Sequence, residues 1–382
     1  MQGWAVAALA AAAFDVKSHG VSAFDQCPCA TMRRREGARD VRCAPLMKAT
    51  NTSDRWRASF KNSRPVNWVI TALGKFELAT RSAVTDTVSR AISLDHFWEI
   101  QSPDDIARHV GVRTHMREGT FLDVGANIGY FSFLFAHHGF NVYSVEPMRA
   151  NRQTFQATLC LNPQWKRRVT LIPSAVAATE QSCILFSGSG NMGNGYMECV
   201  GQRNYGRDLV PSGDAPPRRC DDMPRSVGTC EEVRARPLDR ILVEAGVTAV
   251  DVVKVDVEGF ECEVFRGGES LFTTYAPKFV IVEAQHPGVV NCTMQLASRH
   301  GYTIGPKKLG ENFVLVRRDH LLELQRRSPS GATERDRPQD RGLKDRFRAA
   351  SASRKTAAEM HSEKKERRRS YLNRSPRSWD HD

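Results

Sequence analysis

The chain has 382 residues with 55 Lys+Arg, 43 Asp+Glu and a formal net charge of +12. From Arg326 to the end there are 17 basic and 9 acidic residues, so +8 of that charge sits in the tail and residues 1–325 carry only +4. A core this near to neutral need not bind a polyanion, which sets aside a reading of the whole fold as a nucleic-acid module.

In chain order, residues 1–60 read as a poorly structured leader. Its apolar stretch 4–14 (WAVAALAAAAF) resembles a short signal h-region but lacks a basic n-region, and its eleven residues cannot span a bilayer. The sequons at Asn51, Asn291 and Asn373 are of a kind that arises often by chance. The compartment, cytoplasmic or organellar, stays open.

Residues 61–118 read as a helical cap. Val69, Leu73, Phe76, Ala83, Val84 and Val88 form one apolar stripe, interrupted by Thr80, and Glu99 to Val110 continues it. Strand and helix then alternate: strand 121–124, helix 128–138, strand 141–145, helix 149–161, strand 168–172. An irregular insertion, 187–236, follows, rich in Gly, Pro, Asn and Arg and too long for an ordinary connection. Patterning resumes with strand 250–255, helix 260–271, strand 279–282 and helix 289–299, and ends in a hairpin of 302–304 and 313–316. The middle strands are apolar on both faces, so the sheet is mainly parallel and covered by helices, within one α/β domain at 119–320. Residues 326–382 have almost no aliphatic pairs and read as a basic disordered tail. Its run KKERRR (364–369) is read as solvated, with a nuclear address or RNA or acidic-lipid contact as the alternative.

Ten cysteines are spread along the chain without a CxxC pair or a Cys/His metal spacing, so no zinc site is assigned. Cys199, Cys220 and Cys230 fall in the polar insertion, where they would bridge in a secreted chain.

The most informative stretch is TFLDVGANIGYFSFLFAHHGFNVYSVEP, residues 120–147. An apolar strand ends at Asp123, a turn carries Gly125, Asn127 and Gly129, and after a helix a second strand stops at Glu146. This is the first half of a nucleotide-type βαβ unit, with a carboxylate about twenty residues past the glycines to take a ribose diol. A dinucleotide fingerprint would need glycine at Asn127 and Tyr130. The acid at the strand end opposes a pyrophosphate and favours the cationic amino group of S-adenosylmethionine. The turn therefore points to a methyl donor rather than to NAD.

A second constellation is VVKVDVEGFECEVFRGGESLF at 252–272, followed by VIVEAQH at 280–286. By period two, Lys254, Asp256 and Glu258 share one face of a strand as its apolar run ends. Glu283 and His286 end the next strand in the same way. Ligands bind at the carboxyl ends of strands in open α/β sheets, so these groups are candidates for general base, substrate clamp or metal site. The structural alternative is a Lys254–Asp256 pair with Glu258 capping the next helix.

Taken together, DVGANIGYFS, Glu146–Pro147, KVDVEGFE, the FRGG after it and IVE before a histidine resemble the FkbM family of S-adenosylmethionine-dependent methyltransferases. The resemblance covers roughly residues 95–318, with PLD at 237–239 similar to the family's TLD segment. It implies a class I methyltransferase (Rossmann-like) fold, a mostly parallel seven-stranded sheet with helices on both faces. It also implies methyl transfer to a hydroxyl, often on sugars or polyketide-like molecules. The cofactor residues would be Asp123, Gly125, Asn127 and Gly129 near the methionine moiety, Glu146 on the ribose, and Ser174 and Ala175 along the adenine. Glu258, Glu283 and His286 would remove the acceptor proton, with Asp256 and Lys254 beside them. No metal is assigned; a divalent ion held by the carboxylates is the minority alternative. The expected partner is a small-molecule or glycan hydroxyl acceptor. The rivals are a nucleic-acid or protein methyltransferase using the basic tail, without an NPPY-like motif, and a non-catalytic module that binds the cofactor.

Overall fold

The computed structural model of the chain describes residues 29–33, 39–43, 63–112, 114–200, 202–205, 208–211, 219–223 and 227–327. The signal-like stretch 4–14, the sequons at Asn51 and Asn373 and the basic tail beyond Arg327 lie outside the described residues. Among those described, no helix is long and apolar enough to cross a membrane.

The chain opens on four strands, β1 (Cys29–Arg33), β2 (Arg39–Cys43), β3 (Ser63–Thr71) and β4 (Gly74–Ala79), paired in that order and antiparallel. Two strands thus lie within the segment expected to be an unstructured leader. The helical cap expected from Val66 onward begins as a β-hairpin instead. Val69 and Phe76 are cross-strand partners, and Thr71 pairs with Gly74 around a two-residue turn. The run VNWVIT is dense in β-branched and aromatic residues, and that preference overrides a stripe whose spacing also suits a helix. Helices follow at α1 (Thr87–Asp95) and α2 (Asp104–His109).

The alternating part forms as expected. It comprises β5 (Thr120–Val124), α3 (Tyr130–His137), β6 (Asn141–Val145), α4 (Arg149–Leu161) and β7 (Val169–Ile172). Residues 175–236 then build a second sheet from β8 (Ala175–Val176), β9 (Gln181–Gly188), β10 (Asn191–Cys199), β11 (Gln202–Tyr205), β12 (Asp208–Pro211) and β13 (Val227–Arg236), in the order β12-β11-β10-β9-β13-β8. The segment expected to be irregular is therefore largely strand. Among the described residues, Gly188 and Gly190 sit at the β9–β10 turn and Gly193 and Gly195 fall where the register shifts between Asn191 and Tyr196, which breaks the alternation that would mark a strand in sequence.

The chain returns to the main sheet through α5 (Leu238–Glu244), β14 (Val252–Val255), α6 (Glu261–Arg266), β15 (Phe279–Glu283), α7 (Pro287–Arg299), β16 (Tyr302–Ile304), β17 (Asn312–Arg317) and α8 (Arg318–Arg327). The seven strands run β16-β17-β15-β14-β5-β6-β7. All pairings are parallel except those of β17 with β15 and β16. This order, with the first strand in the interior beside the central β14 and an antiparallel strand near one edge, is that of a class I methyltransferase sheet.

Alternation along the strands divides the core between the two faces. Phe121, Val252 and Phe279 join one cluster, while their neighbours Leu122, Val253 and Val280 join the other. Each such side chain contributes roughly 1.5–3 kcal/mol by burial. Both faces are covered, which leaves the carboxyl ends of β5, β6, β14 and β15 as the place where polar side chains can gather.

Among the described residues, disulfides link Cys183 to Cys199, Cys220 to Cys230 and Cys262 to Cys292. The first joins β9 to β10 and the third ties α6 to α7. Every cysteine of the insertion noted in the sequence is bridged.

Candidate active site

The turn after β5 is shaped by backbone that only certain residues adopt. Gly125 has φ +88° and Asn127 has φ +53°, the left-handed region expected for the asparagine. A side chain at Gly125 is excluded twice over, because its Cβ would stand 1.8 Å from the carbonyl oxygen of Asp256. The first loop therefore rests directly on the turn that follows β14.

Glu146, at the end of β6, is buried. One carboxylate oxygen accepts from the Asn127 amide (2.7 Å), and the other accepts from the Met148 amide (2.7 Å) and Asn151 Nδ2 (3.4 Å). Burial pushes its carboxyl up to about 7, against the pull of those donors. Oε1 already accepts twice, whereas Oε2 keeps a further lone pair, so the group is held in place and can still accept from a ligand hydroxyl. Asp123 is buried in β5 and accepts from Ser132 Oγ (2.6 Å), and burial raises it to about 6. Ser174 is buried beside an open cleft of about 460 Å³ that is also lined by Pro147, Arg152, Ala175 and Arg236. Arg236 Nε donates to Ser174 Oγ (3.2 Å), and Ala175 belongs to β8 in the second sheet.

The sheet order brings the second constellation beside the first. β14 pairs with β5, so that Lys254 is the register partner of Asp123 and Val255 of Val124. The Lys254 ammonium pairs with the Asp256 carboxylate and stands 4.7 Å from the centre of the Phe131 ring. Burial pulls the Lys254 pKa down, but Asp256, Glu99 and Asp123 around it more than offset this, and the net shift is upward.

Asp256, Glu258 and Glu283 each offer a carboxylate oxygen, and these oxygens all lie within 4.8 Å of one another. The expected juxtaposition is present, but not for the expected reason. The strand stops at Val255 and Glu258 stands in a turn with φ +55°, so period-two alternation does not carry it to the crevice. The loop between β14 and α6 is held by Glu261, the first residue of α6, which accepts from the amides of Val257 (2.9 Å) and Gly259 (3.1 Å). Glu283, buried at the end of β15, is raised to about 10 by burial and then by Asp256, Glu258 and Glu261. Gln285 Nε2 donates to it (2.5 Å). His286 stands three residues past β15, at the residue before α7.

Several groups of this region were not legible in the sequence. Glu99 takes a left-handed backbone (φ +57°) and accepts from Asn312 Nδ2 (3.0 Å), and burial raises it to about 7, opposed by Lys254. Arg81 and Asp86, from the segment before the alternating domain, are also buried next to the first loop. Only their burial reveals them, since neither lies in a motif.

Residues 123–304 match the methyltransferase FkbM domain profile. Among solved structures, methyltransferase FkbM from Methylobacillus flagellatus KT is 18% identical with a TM-score of 0.36, over 54% of this chain and 45% of that one. A putative caffeoyl-CoA O-methyltransferase from Staphylococcus aureus is 11% identical with a TM-score of 0.31, over 62% of this chain and 91% of that one. Precorrin-6y C5,15-methyltransferase from Geobacter metallireducens GS-15 is 12% identical with a TM-score of 0.29, over 58% and 93%. The chain spans less than half the length of the Methylobacillus protein. No curated protein matches the sequence.

Proposed function

Residues 123–304 form an FkbM methyltransferase domain, and from that premise we propose that the chain methylates a hydroxyl oxygen of a small molecule or glycan with S-adenosylmethionine. The observation that carries this reading is the pairing of β14 with β5, which sets the acidic crevice beside the nucleotide-type loop. Asp123, Gly125, Asn127 and Gly129 would hold the methionine side of the cofactor, Glu146 the ribose, and Ser174 and Ala175 the adenine. The fit rests on Glu146, a buried carboxylate fixed by two backbone amides and still able to accept.

When bound, the sulfonium supplies an electrophilic methyl group that already carries its leaving group. What remains for the protein is to align the acceptor and remove its proton. We assign proton removal to Glu258. The Lys254 ammonium offsets the charge of Asp256 and keeps the crevice from collecting unopposed carboxylates. Glu283, whose carboxyl is pushed up by burial and by Asp256, Glu258 and Glu261, is assigned the role of a donor to acceptor oxygens. His286, the residue before α7, is kept as a further candidate for proton removal.

The decisive experiment combines calorimetric binding of S-adenosylmethionine with a methyl-acceptor screen across sugars, lipids, proteins and RNA. Transfer to a hydroxyl-bearing sugar or small molecule sustains the reading. Transfer only to RNA or protein moves it to the tail-dependent alternative, and absence of binding removes the enzyme altogether. The disulfides of the described residues support folding in an oxidising compartment, since such bonds are rare in the cytosol. Non-reducing mass spectrometry of protein isolated from its native cells tests that placement.

A further inference from the structure

The hairpin of β9 and β10 folds its tip back over the first loop. The Met192 amide donates to the Thr85 carbonyl (2.8 Å), and the Thr87 amide donates to Asn191 Oδ1 (3.2 Å). Arg81 Nη1 donates to the Met192 carbonyl (2.8 Å), and Asn151 Nδ2 donates to the Gly193 carbonyl (3.0 Å). The Cys183–Cys199 bridge joins the two strands at the base of the same hairpin.

Beneath this tip are four buried polar atoms without a hydrogen-bond partner among the described residues: Asp86 Oδ2, Asn127 Oδ1, Asn151 Oδ1 and Arg81 Nε. Native proteins seldom leave such atoms unpaired. Asp86 is fully buried, and its role as N-cap of α1 accounts for only one oxygen, Oδ1, which accepts from the Ser89 amide at 2.7 Å. Asp86 Oδ2 and Asn127 Oδ1 converge, standing 2.0 Å and 3.3 Å from the point that a Cβ on Gly193 would occupy. Arg81 and Asp86 are near enough for their charges to interact, and Arg81 also senses Glu146.

Converging acceptors, one of them anionic, next to a guanidinium with a spare donor complement a zwitterionic α-amino acid. We propose that Asp86 and Asn127 take the ammonium of the cofactor's methionine arm and that Arg81 takes its carboxylate, with the hairpin tip as the roof. This rests on the methyltransferase reading above. It extends the cofactor site to a segment outside residues 123–304.

The test is calorimetric binding of two probes, S-adenosylhomocysteine and 5′-methylthioadenosine, which share adenine and ribose while only the first has the amino-acid head. Asp86→Asn preserves the cap and the shape but removes the charge. It should weaken S-adenosylhomocysteine binding at least about tenfold and leave methylthioadenosine unchanged. Asp86→Ser, which also caps, serves if the first variant does not fold. Equal loss for both probes, or no loss in a folded variant, overturns the assignment. A wild-type chain that binds neither probe overturns the methyltransferase reading with it, whereas wild-type binding with an inert Asp86→Asn variant overturns the docking alone.

Discussion

The cofactor loop and the acidic crevice lie on neighbouring strands, yet they are held by opposite means. Around Glu146 the fixing partners are chiefly backbone amides, those of Asn127 and Met148. Around Glu283 they are side chains, with Gln285 donating and the acids Asp256, Glu258 and Glu261 close enough to raise its pKa. Backbone donors fix a charge wherever the chain folds, whereas a cluster of like charges depends on each member being in place. The second region should be the more sensitive in function and the first the more sensitive in binding.

The largest effect tests this division at its extreme. Glu258→Gln should bind the cofactor as wild type does and lose roughly 10²–10⁴-fold in turnover, the range for a general base. Single-turnover methyl transfer with a radiolabelled donor reads this, and turnover near wild type would reassign Glu258 to the structure of its turn. Glu146→Ala should show the mirror image, losing about 1.5–3 kcal/mol of cofactor affinity, or roughly ten- to a hundredfold. Calorimetry on a folded variant decides it.

The loop's affinity should also follow pH. The ionised Glu146 accepts more hydrogen bonds than its protonated form, so binding should weaken as pH falls through about 7. A decline of roughly tenfold between pH 8 and 6 is expected. The sign for stability is reversed. A carboxyl raised by folding favours the unliganded fold at low pH, and that contribution is lost as pH rises from about 4.5 through about 7. A cofactor affinity that is flat with pH would remove Glu146 from the ligand.

Glu283→Gln sharpens the comparison from the quiet side. A carboxyl that keeps its proton resembles an amide in shape and charge, so turnover should change by less than about threefold. A loss as deep as that of Glu258→Gln would show that Glu283 works in its ionised form. Chelation of divalent ions adds a last measurement, with activity expected to persist.

The same contrast governs what the sequence reveals. Residues 120–147 are readable because strand, turn and helix follow in one run, with Asp123 next to the end of β5 and Gly125 and Glu146 directly after β5 and β6. Glu283 is readable as the last residue of an apolar strand. Glu99, Arg81 and Asp86 are not, because long-range packing alone brings them to the site. The hairpin of β3 and β4 was hidden by a coincidence of spacing, in which residues that pair across a tight turn also fall on one side of a helix. The second sheet was hidden by its glycines. Neither error touched β5, β14 and β15, but the second concealed the β9–β10 tip that reaches the first loop.

The contact at Gly125 bears on how such a domain can be recombined. With the Asp256 carbonyl occupying the place of a side chain, the segment 120–147 and the turn after β14 have matching surfaces at atomic resolution. A chimera that took its nucleotide half from one parent and its acidic turn from another would have to inherit this fit as well. The two halves of the site would therefore have to be exchanged together.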